Sequence, residues 1–359
     1  MTLRDLRVLI VDDAATSRCV LADMIGEFPG IEVVGTAADG SAGIRLLSDL
    51  NPDLVVLDLE MPKMDGFTFL RLVMANRPTP VIVVSSHATR EYVFRALELG
   101  AIDFVAKPDS MLRTGVDTIR DQLGHMVSVV RSLSPLGWQA LRVRSPHDSG
   151  QYFKAAALAE TTGIEQGAEA PGKVVVIAAS TGGPAALIEL FARVPATASA
   201  CVLVAQHMPE NFTRSFAERL DRLSGFRVRE AQGRQQLRPG MALVCPGGQC
   251  LEVQRSGNSL VSEVVAPSSQ DRYAPSADRL FESAAQSAGQ HVIGVVLTGM
   301  GEDGARGAKE IKRQGGVVLA ESEETAVIYG MPKAVSSLVA VDDVLPLSTL
   351  VERLVALLD

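Results

Sequence analysis

Residues 174–184, Val-Val-Val-Ile-Ala-Ala-Ser-Thr-Gly-Gly-Pro, decide how the second half of this 359-residue chain is interpreted. Four apolar residues of high strand propensity run into a turn of small residues, and a helical pattern follows from Ala185. This pattern predicts a buried parallel strand that ends at the N-terminus of a helix. Ser180 would then lie at the carboxyl end of the strand, where open α/β sheets bind their ligands.

Two interpretations of Ser180 are open at this point. In one, it is a nucleophile, and Gly182 and Gly183 let a substrate approach the backbone closely. In the other, it is the N-cap of a phosphate-binding turn whose free N–H groups bind an anion. The stretch alone favours neither, so the rest of the chain has to decide.

The composition indicates a soluble, cytoplasmic protein of two domains and a linker. Hydrophobic residues make up 47% of the chain, enough for large cores, and the net charge of -8 argues against a general nucleic-acid binder. Four cysteines are too few for a disulfide scaffold. We expect neither a signal peptide nor a membrane-inserted segment, since no apolar run reaches spanning length.

Strand and helix patterns alternate five times in the first part of the chain. The predicted strands are residues 7–11, 31–37, 54–57, 81–84 and 103–105. Such alternation predicts a parallel sheet with helices on both faces, and the strand ends of such a sheet meet at one edge. We therefore expect the polar residues that follow the strands to share one site: Asp12, Asp13, Asp58, Ser85 and Lys107.

The three carboxylates of this site repel one another unless a hard cation neutralises them, and Mg²⁺ with oxygen ligands fits. An aspartate beside Mg²⁺ and Lys107 would accept a phosphoryl group, because the cations offset the charge of the phosphoryl oxygens. The alternative is that these residues are ordinary helix-capping acids. That alternative explains each residue singly but not all of them at the ends of strands.

Four segments of this first domain resemble the response-regulator receiver family: Val11-Asp12-Asp13, Leu57 to Gly66, Ser85-Ser86 and Phe104 to Pro108. The resemblance implies a flavodoxin-like (βα)5 receiver domain over residues 1–124. It also implies that Asp58 is the phosphorylated residue.

The receiver resemblance assigns roles to the neighbours of Asp58 as well. Asp13 and Asp58 would bind Mg²⁺ with the Glu60 carbonyl, and Asp12 would support them. Lys107 would contact the phosphoryl group. The switch positions of the family correspond to Ser85 and Phe104.

A second mostly parallel sheet is predicted from residue 173 onward, after a linker over residues 125–172 that carries loop signals and no catalytic pattern. Residues 201–205 form a strand followed by His207, and residues 292–297 form one followed by a loop containing Asp303. Weaker strands near residues 242–244, 251–254 and 260–265 are separated by Gly247-Gly248 and Gly257-Asn258, which predict hairpins.

Ser180, His207 and Asp303 thus each follow a parallel strand, and all three would meet at one edge of the sheet. In a Ser–His–Asp arrangement the histidine takes the proton of the hydroxyl and the carboxylate orients the imidazole. The order Ser, His, Asp and the absence of a Gly-x-Ser-x-Gly motif argue against the α/β-hydrolases. A dinucleotide-binding domain is disfavoured because Gly-x-Gly-x-x-Gly is absent.

Three motifs of this second domain resemble the catalytic domain of the chemotaxis protein-glutamate methylesterase family (CheB): residues 179–184, Gln206-His207-Met208-Pro209 and residues 297–305. The resemblance implies a catalytic domain over residues 173–359. Its fold would be a Rossmann-like, doubly wound, mostly parallel sheet with a β-hairpin insertion. Ser180 would be the nucleophile, His207 the general base and Asp303 its orienter. The N–H groups of Thr181 and Met300 would form the oxyanion hole.

The function implied by both resemblances is a phosphorylation-activated esterase. It would hydrolyse glutamate methyl esters on the cytoplasmic domains of methyl-accepting chemoreceptors and would also deamidate receptor glutamines. A chemosensory histidine kinase would phosphorylate it. The unphosphorylated receiver would cover the catalytic site, and ester hydrolysis would need no metal or other cofactor.

Two departures from the family pattern, Cys250 and Tyr273-Ala274, lie outside the triad and bear on substrate contacts. An alternative function is also open, in which a receiver controls a non-chemotaxis chemosensory pathway and the second domain acts mainly by binding partners. Loss of a triad residue would have supported that alternative, but all three are present.

Overall fold

The computed structural model describes residues 5–86, 90–107, 113–133, 136, 171–196, 199–339 and 341–358. The chain separates into two compact units, one within Met1–Pro146 and one within His147–Asp359. Each unit is described by itself below. In the described part of the chain, no helix combines the length and apolar character needed to cross a bilayer.

The N-terminal unit alternates strands and helices as predicted. Its elements are β1 (Leu6–Val11), α1 (Ala15–Gly26), β2 (Ile31–Ala37), α2 (Gly40–Leu50), β3 (Leu54–Leu57), α3 (Gly66–Asn76), β4 (Val81–Ser86), α4 (Arg90–Glu98), β5 (Asp103–Lys107) and α5 (Arg113–Ser132). The five strands form one parallel sheet in the order β2-β1-β3-β4-β5.

Local sequence signals explain where the helices of this unit begin and end. Asp39 and Asp65 are the N-caps of α2 and α3, and each carboxylate accepts a backbone N–H of the first turn. Helix α5 continues to Ser132, beyond residue 124, where the receiver domain is predicted to end.

The apolar runs of the strands are almost continuous because the strands are buried, with both faces of the sheet covered.

The C-terminal unit holds the other ten strands and six helices of the described residues. They are β6 (Lys173–Ala179), α6 (Gly183–Arg193), β7 (Ala200–Gln206), α7 (Phe212–Leu223), β8 (Arg227–Glu230), β9 (Arg234–Gln236), β10 (Met241–Val244), β11 (Cys250–Ser256), β12 (Ser259–Val265), α8 (Ala277–Ala288), β13 (Val292–Val296), α9 (Ala305–Arg313), β14 (Val317–Glu321), α10 (Met331–Leu338), β15 (Asp343–Leu345) and α11 (Leu347–Leu358). A short 3₁₀ turn, Gly289–His291, joins α8 to β13.

Seven of these strands form a parallel sheet in the order β15-β14-β13-β6-β7-β10-β8. The chain leaves β6 toward β7 on one side and returns later to place β13 on the other side. Ligands of open α/β sheets bind at such a reversal of strand order. The three central strands β13, β6 and β7 therefore point their carboxyl ends at one edge, as predicted for the strands before Asp303, Ser180 and His207.

The smaller antiparallel sheet, β11-β12-β9, contains the predicted hairpin insertion. Strands β11 and β12 pair across Gly257-Asn258, with Ser256 opposite Ser259. The hairpin predicted at Gly247-Gly248 is wrong, because β10 pairs in parallel with β7 and β8 instead of with β11. The Gly247 amide donates to Thr213 Oγ1 at 3.1 Å, which packs this turn against the start of α7.

Helices α8 and α9 pack closely because Gly307 has no side chain. Phe281 of α8 is fully buried, and burying such a ring stabilises the fold by about 1.5–3 kcal/mol. A Cβ on Gly307 would collide with the Phe281 Cβ and lie 2.8 Å from the Asp278 carbonyl oxygen. Two independent partners, one of them backbone, therefore hold this position to glycine.

We expect Gly307→Ala to lower the free energy of unfolding by about 1–3 kcal/mol, because overpacking forces the two helices apart. The matched control is Gly26→Ala at the end of α1, where no described atom lies within 4 Å of the added Cβ. Alanine there should be neutral or stabilise by up to about 1 kcal/mol. Scanning calorimetry of both variants checks this, and an equal effect of the two would contradict the packing argument.

Candidate functional site

Ser180 follows the last residue of β6 and is buried. Its amide donates to the Thr298 carbonyl at 3.0 Å, and its carbonyl accepts the Gly183 amide at 2.8 Å. The N-cap of α6 is Gly182, with φ of 78° and no side-chain capping bond. Ser180 is therefore not the N-cap of the helix, and its hydroxyl points elsewhere.

That hydroxyl faces His207. The distance from Ser180 Oγ to His207 Nδ1 is 3.2 Å, and the distance from His207 Nε2 to Asp303 Oδ2 is 2.8 Å. The structure thus brings the three residues predicted from the strand ends into one hydrogen-bonded chain. The ring is used in the sense opposite to that of the serine proteases, in which Nε2 faces the serine.

Asp303 is held by backbone donors at the starts of α8 and α9. Its Oδ2 accepts from the Ala277 amide at 2.8 Å, and its Oδ1 accepts from the amides of Asp278 and Gly304 at 2.9 and 3.1 Å. Burial alone would favour the neutral acid, but the hydrogen bonds from His207 and from the Ala277 and Asp278 amides bring the pKa of Asp303 below its ordinary value. The carboxylate is therefore a fixed anion beside the imidazole.

A fixed carboxylate determines which nitrogen of His207 carries the proton. Asp303 Oδ2 can only accept, so Nε2 donates to it and Nδ1 presents its lone pair to Ser180. A hydroxyl next to such a lone pair can lose its proton as it attacks an electrophile. The arrangement suits acyl transfer at neutral pH.

The two residues predicted to supply the oxyanion hole are close to Ser180 or to its neighbours in the chain. Thr181 is the next residue, and Met300 follows Gly299, whose Cβ position would lie 2.7 Å from the Ser180 Cβ. Among the described residues, neither amide donates a hydrogen bond to a protein acceptor. Two unused N–H groups next to a candidate nucleophile are consistent with the predicted role, which stays a prediction.

Two residues that lie in the sequence motifs but had no predicted role hold this turn in place. Thr298 Oγ1 donates to the Thr181 carbonyl at 2.9 Å and accepts from the Ile328 amide at 2.9 Å. The Thr298 amide donates to the buried Glu321 carboxylate at 2.8 Å. One threonine thus orders the backbone on both sides of the Ser180 peptide.

Gln206 ties the serine strand to the histidine strand. Its Nε2 donates to the carbonyls of Ser180 and His207 at 2.9 and 3.0 Å. The only signals in the sequence are that Gln206 immediately precedes His207 and that Thr298 opens the loop toward Asp303.

The glycines of the turn serve packing. A Cβ on Gly183 would collide with Gln206 Oε1, and one on Gly182 would lie 2.8 Å from the Val327 Cβ. The expectation that these positions leave room for a substrate is wrong in this respect, because protein atoms already fill the space that side chains would take.

A second site lies at the edge of the N-terminal sheet. One oxygen each of Asp12, Asp13 and Asp58 lies within 4.8 Å of the others. Lys107 Nζ bridges Asp12 Oδ2 at 2.9 Å and Asp58 Oδ2 at 2.7 Å. The predicted cluster is thus assembled, with three carboxylates around one ammonium.

The charges of this second site are not balanced. Burial raises the pKa of Asp58 above its ordinary value, although attraction to Lys107 opposes the shift. Burial would lower the pKa of Lys107, but attraction to Asp58 outweighs it and raises that pKa. Hard oxygen ligands with excess negative charge are what Mg²⁺ prefers, so the residues fit the cation that receiver domains bind for phosphorylation.

Two further residues with predicted receiver roles lie in the strands that lead to this edge. Phe104 is buried in β5, and Ser85 lies opposite Ala106 near the end of β4, although its side chain is outside the described residues. The Glu60 amide donates to Asp58 Oδ1 at 3.3 Å. The roles of Ser85, Phe104 and the Glu60 carbonyl stay predictions.

Two protein-family models match this chain, one in each unit. The family model "CheB methylesterase" matches residues 175–354, and "Response regulator receiver domain" matches residues 8–115. A crystal structure of the Thermotoga maritima CheB methylesterase catalytic domain is 38% identical with a TM-score of 0.50, and covers 52% of this chain and 98% of that one.

Relatives over the whole length carry a common name. "Protein-glutamate methylesterase/protein-glutamine glutaminase 3" of Geobacter sulfurreducens is 44% identical over 98% of this chain and 97% of its own. "Protein-glutamate methylesterase/protein-glutamine glutaminase 6" of Anaeromyxobacter dehalogenans is 48% identical over 98% of this chain and 95% of its own.

If Ser180 is activated by His207, a serine-directed fluorophosphonate should label Ser180 covalently, as peptide mass spectrometry would show. We expect His207→Ala to slow labelling by roughly a hundredfold or more, because a general base contributes about 10²–10⁴-fold. Asp303→Asn should also slow it, but less.

The matched control for this labelling is His291→Ala, which removes an exposed histidine bound to the Gly172 carbonyl. It should label at the wild-type rate. Labelling of another serine, or an unchanged rate in His207→Ala, would contradict the arrangement.

Proposed function

This chain belongs to the CheB methylesterase family, and we propose on that basis that it hydrolyses glutamate methyl esters on chemoreceptors under the control of its receiver domain. The observation that carries the proposal is the hydrogen-bonded chain from Ser180 Oγ through His207 to Asp303. The same chain of atoms suits deamidation of receptor glutamines, because the ester and the amide give the same acyl-enzyme.

Acylation begins with attack of Ser180 Oγ on the ester carbonyl while Nδ1 of His207 takes the hydroxyl proton. The imidazolium is stabilised by Asp303, whose carboxylate accepts from Nε2. The carbonyl oxygen becomes an oxyanion next to the amides of Thr181 and Met300. The proton on Nδ1 then passes to the leaving oxygen, and methanol departs.

Deacylation repeats these proton transfers with water. His207 Nδ1 takes a proton from the attacking water, and the same proton returns to Ser180 Oγ as the acyl bond breaks. The product is the free glutamate side chain. With glutamine as substrate, ammonia leaves in place of methanol and the second half is unchanged.

The receiver takes the phosphoryl group on Asp58. Asp12, Asp13 and Asp58, with the Glu60 carbonyl, would hold Mg²⁺, which supplies positive charge against the phosphoryl oxygens. Lys107, already within 2.7 Å of Asp58, would supply a second positive charge. Ser85 and Phe104 would change position in response.

The proposed partners are those that the family resemblance implies. A chemosensory histidine kinase would donate the phosphoryl group, and the cytoplasmic helices of methyl-accepting chemoreceptors would present the ester. We therefore place the protein in the cytoplasm.

The direct test is mass spectrometry of a methylated chemoreceptor cytoplasmic domain incubated with the protein. Each modified glutamate should lose the mass of one CH₂ group as methanol appears. Ser180→Ala and His207→Ala should each lower the rate by about a thousandfold or more, and the double variant should be little slower, since such residues act as a unit. Receptor binding without methanol release would support a binding-only second domain instead.

Control of the esterase by the receiver can be tested with a small phosphodonor. A small phosphodonor such as acetyl phosphate should label the wild type in a Mg²⁺-dependent way and raise methanol release toward the rate of the isolated fragment His147–Asp359. Phosphorylation should have this effect because the unphosphorylated receiver mainly acts as a brake, inhibiting the catalytic domain by covering its site. A 99-to-1 preference for a covered site needs only about 2.7 kcal/mol, which repacking a few side chains can overcome.

Two aspartate variants separate the causes in this experiment. Asp58→Asn should neither be labelled nor be activated, whereas Asp49→Asn, which changes an exposed aspartate of α2, should behave as wild type. A fragment no faster than the unphosphorylated full-length protein would contradict the brake. Phosphorylated protein much faster than the fragment would show that the receiver also activates.

A further inference from the structure

Tyr273 lies flat against the imidazole of His207. The two ring centroids are 4.6 Å apart and the ring planes differ by 13°. The hydrogen bonds of His207 to Ser180 and Asp303 run in the plane of its ring, so they leave the ring faces free. Tyr273 covers one of these faces, and no step of the proposed mechanism assigns it a task.

The loop that carries Tyr273 is anchored before any substrate binds. Asp271 Oδ2 accepts from the amide of Ser268 at 2.6 Å and from Arg279 Nη1 of α8 at 2.8 Å. At the other end of the loop, the Ala274 carbonyl accepts the Gly248 amide at 3.2 Å. These contacts fix the chain on both sides of Tyr273.

Tyr273 also contacts the loop that carries the predicted oxyanion amide of Met300. A Cβ on Gly301 would lie 2.7 Å from the Tyr273 hydroxyl oxygen, so this hydroxyl sits directly beside the Gly301 backbone. The Arg272 guanidinium lies 5.9 Å from the tyrosine ring centroid and pairs with Glu302 at 2.8 Å. The ring thus joins the histidine side of the site to the loop after β13.

We propose that Tyr273 is a positioning residue for His207, acting through the imidazole and not on the substrate. The inference rests on the proposed function. The packed ring keeps the imidazole in the one orientation in which Nδ1 faces Ser180 and Nε2 faces Asp303. By preventing a tilt of the ring, it also keeps water from taking the place of the Asp303 carboxylate at Nε2.

The geometry of histidine explains why a ring packed against the imidazole is needed. The imidazole is rigid, so rotation about either of its two side-chain torsions moves both ring nitrogens. A tilt that keeps one of the two hydrogen bonds therefore breaks the other. The Ser180 contact, at 3.2 Å, is already at the long end for proton transfer. A flat aromatic neighbour resists the tilt, whereas a small side chain leaves room for it.

The test compares Tyr273→Phe and Tyr273→Ala in the full-length protein, with methanol release from a methylated receptor domain as the assay. Tyr273→Phe keeps the ring face and should stay within about twofold of wild type. Tyr273→Ala should lower kcat by roughly tenfold to a hundredfold with KM little changed, since an error of about 1 Å in a catalytic group costs about a hundredfold.

The KM comparison matters because Tyr273 also lines an open cavity of about 440 Å³, together with Gly301, Glu302 and Lys333. If the ring served only to contact substrate, Tyr273→Ala would raise KM and leave kcat unchanged, which would overturn the positioning role. A loss in Tyr273→Phe as large as that in Tyr273→Ala would overturn it as well.

A spectroscopic readout separates positioning from folding. The proton that Nε2 of His207 donates to Asp303 should give a downfield NMR resonance in the wild type and Tyr273→Phe, and this resonance should be lost to exchange with water in Tyr273→Ala. Its retention in Tyr273→Ala would contradict the proposal. If that variant does not fold, Tyr273→Leu serves the same test, because leucine fills much of the space but cannot stack flat.

The outcomes for the two proposals are distinct. If the wild type releases no methanol from any receptor domain, the proposed function fails. If the wild type is active and Tyr273→Ala matches it in kcat, only the role of Tyr273 fails.

Discussion

Two backbone hydrogen bonds extend the central parallel ladder beyond the ends of its strands, and the candidate active site depends on them. The His207 amide donates to the Ala179 carbonyl at 2.9 Å, and the Ser180 amide donates to the Thr298 carbonyl at 3.0 Å. Because both residues are still in register with the sheet, the distance between hydroxyl and imidazole is set by the spacing of strands β6 and β7. A mobile loop would not hold it as well.

Asp303 reaches the same edge by a different route. It lies seven residues beyond the end of β13, so the sheet alone does not place it. Three amides at the start of α8 and of the loop before α9 do so, and they also keep the carboxylate charged. The site therefore combines two positions fixed by the sheet with one fixed by the N-terminus of a helix.

The two functional edges of this chain use buried carboxylates in opposite ways. Asp303 is surrounded by N–H donors, and its pKa lies below the ordinary value although burial opposes this. Asp58 shares one ammonium with Asp12, and burial raises its pKa. The first environment is complete and suits a permanent anion that orients an imidazole. The second is short of positive charge, which suits a site that gains Mg²⁺ and a phosphoryl group together.

The sequence by itself determined the alternation of strands and helices, the two parallel sheets, the strand-end positions of Ser180 and His207, and the location of Asp303 in the loop that follows a strand. These features follow from periodicity and from the rule that parallel strands share one functional edge. The sequence did not predict β9, β15 or α10. The strands β9 (Arg234–Gln236) and β15 (Asp343–Leu345) were missed because they are three residues long and their pairing depends on distant partners. It also predicted a hairpin at Gly247-Gly248, where the tertiary structure places a turn against α7. Only the tertiary structure decided that Nδ1 of His207 faces the serine, that Thr298 holds the Thr181 carbonyl across 117 residues of chain, and that Tyr273 stacks on the imidazole. Such contacts join residues far apart in sequence, so no local pattern records them.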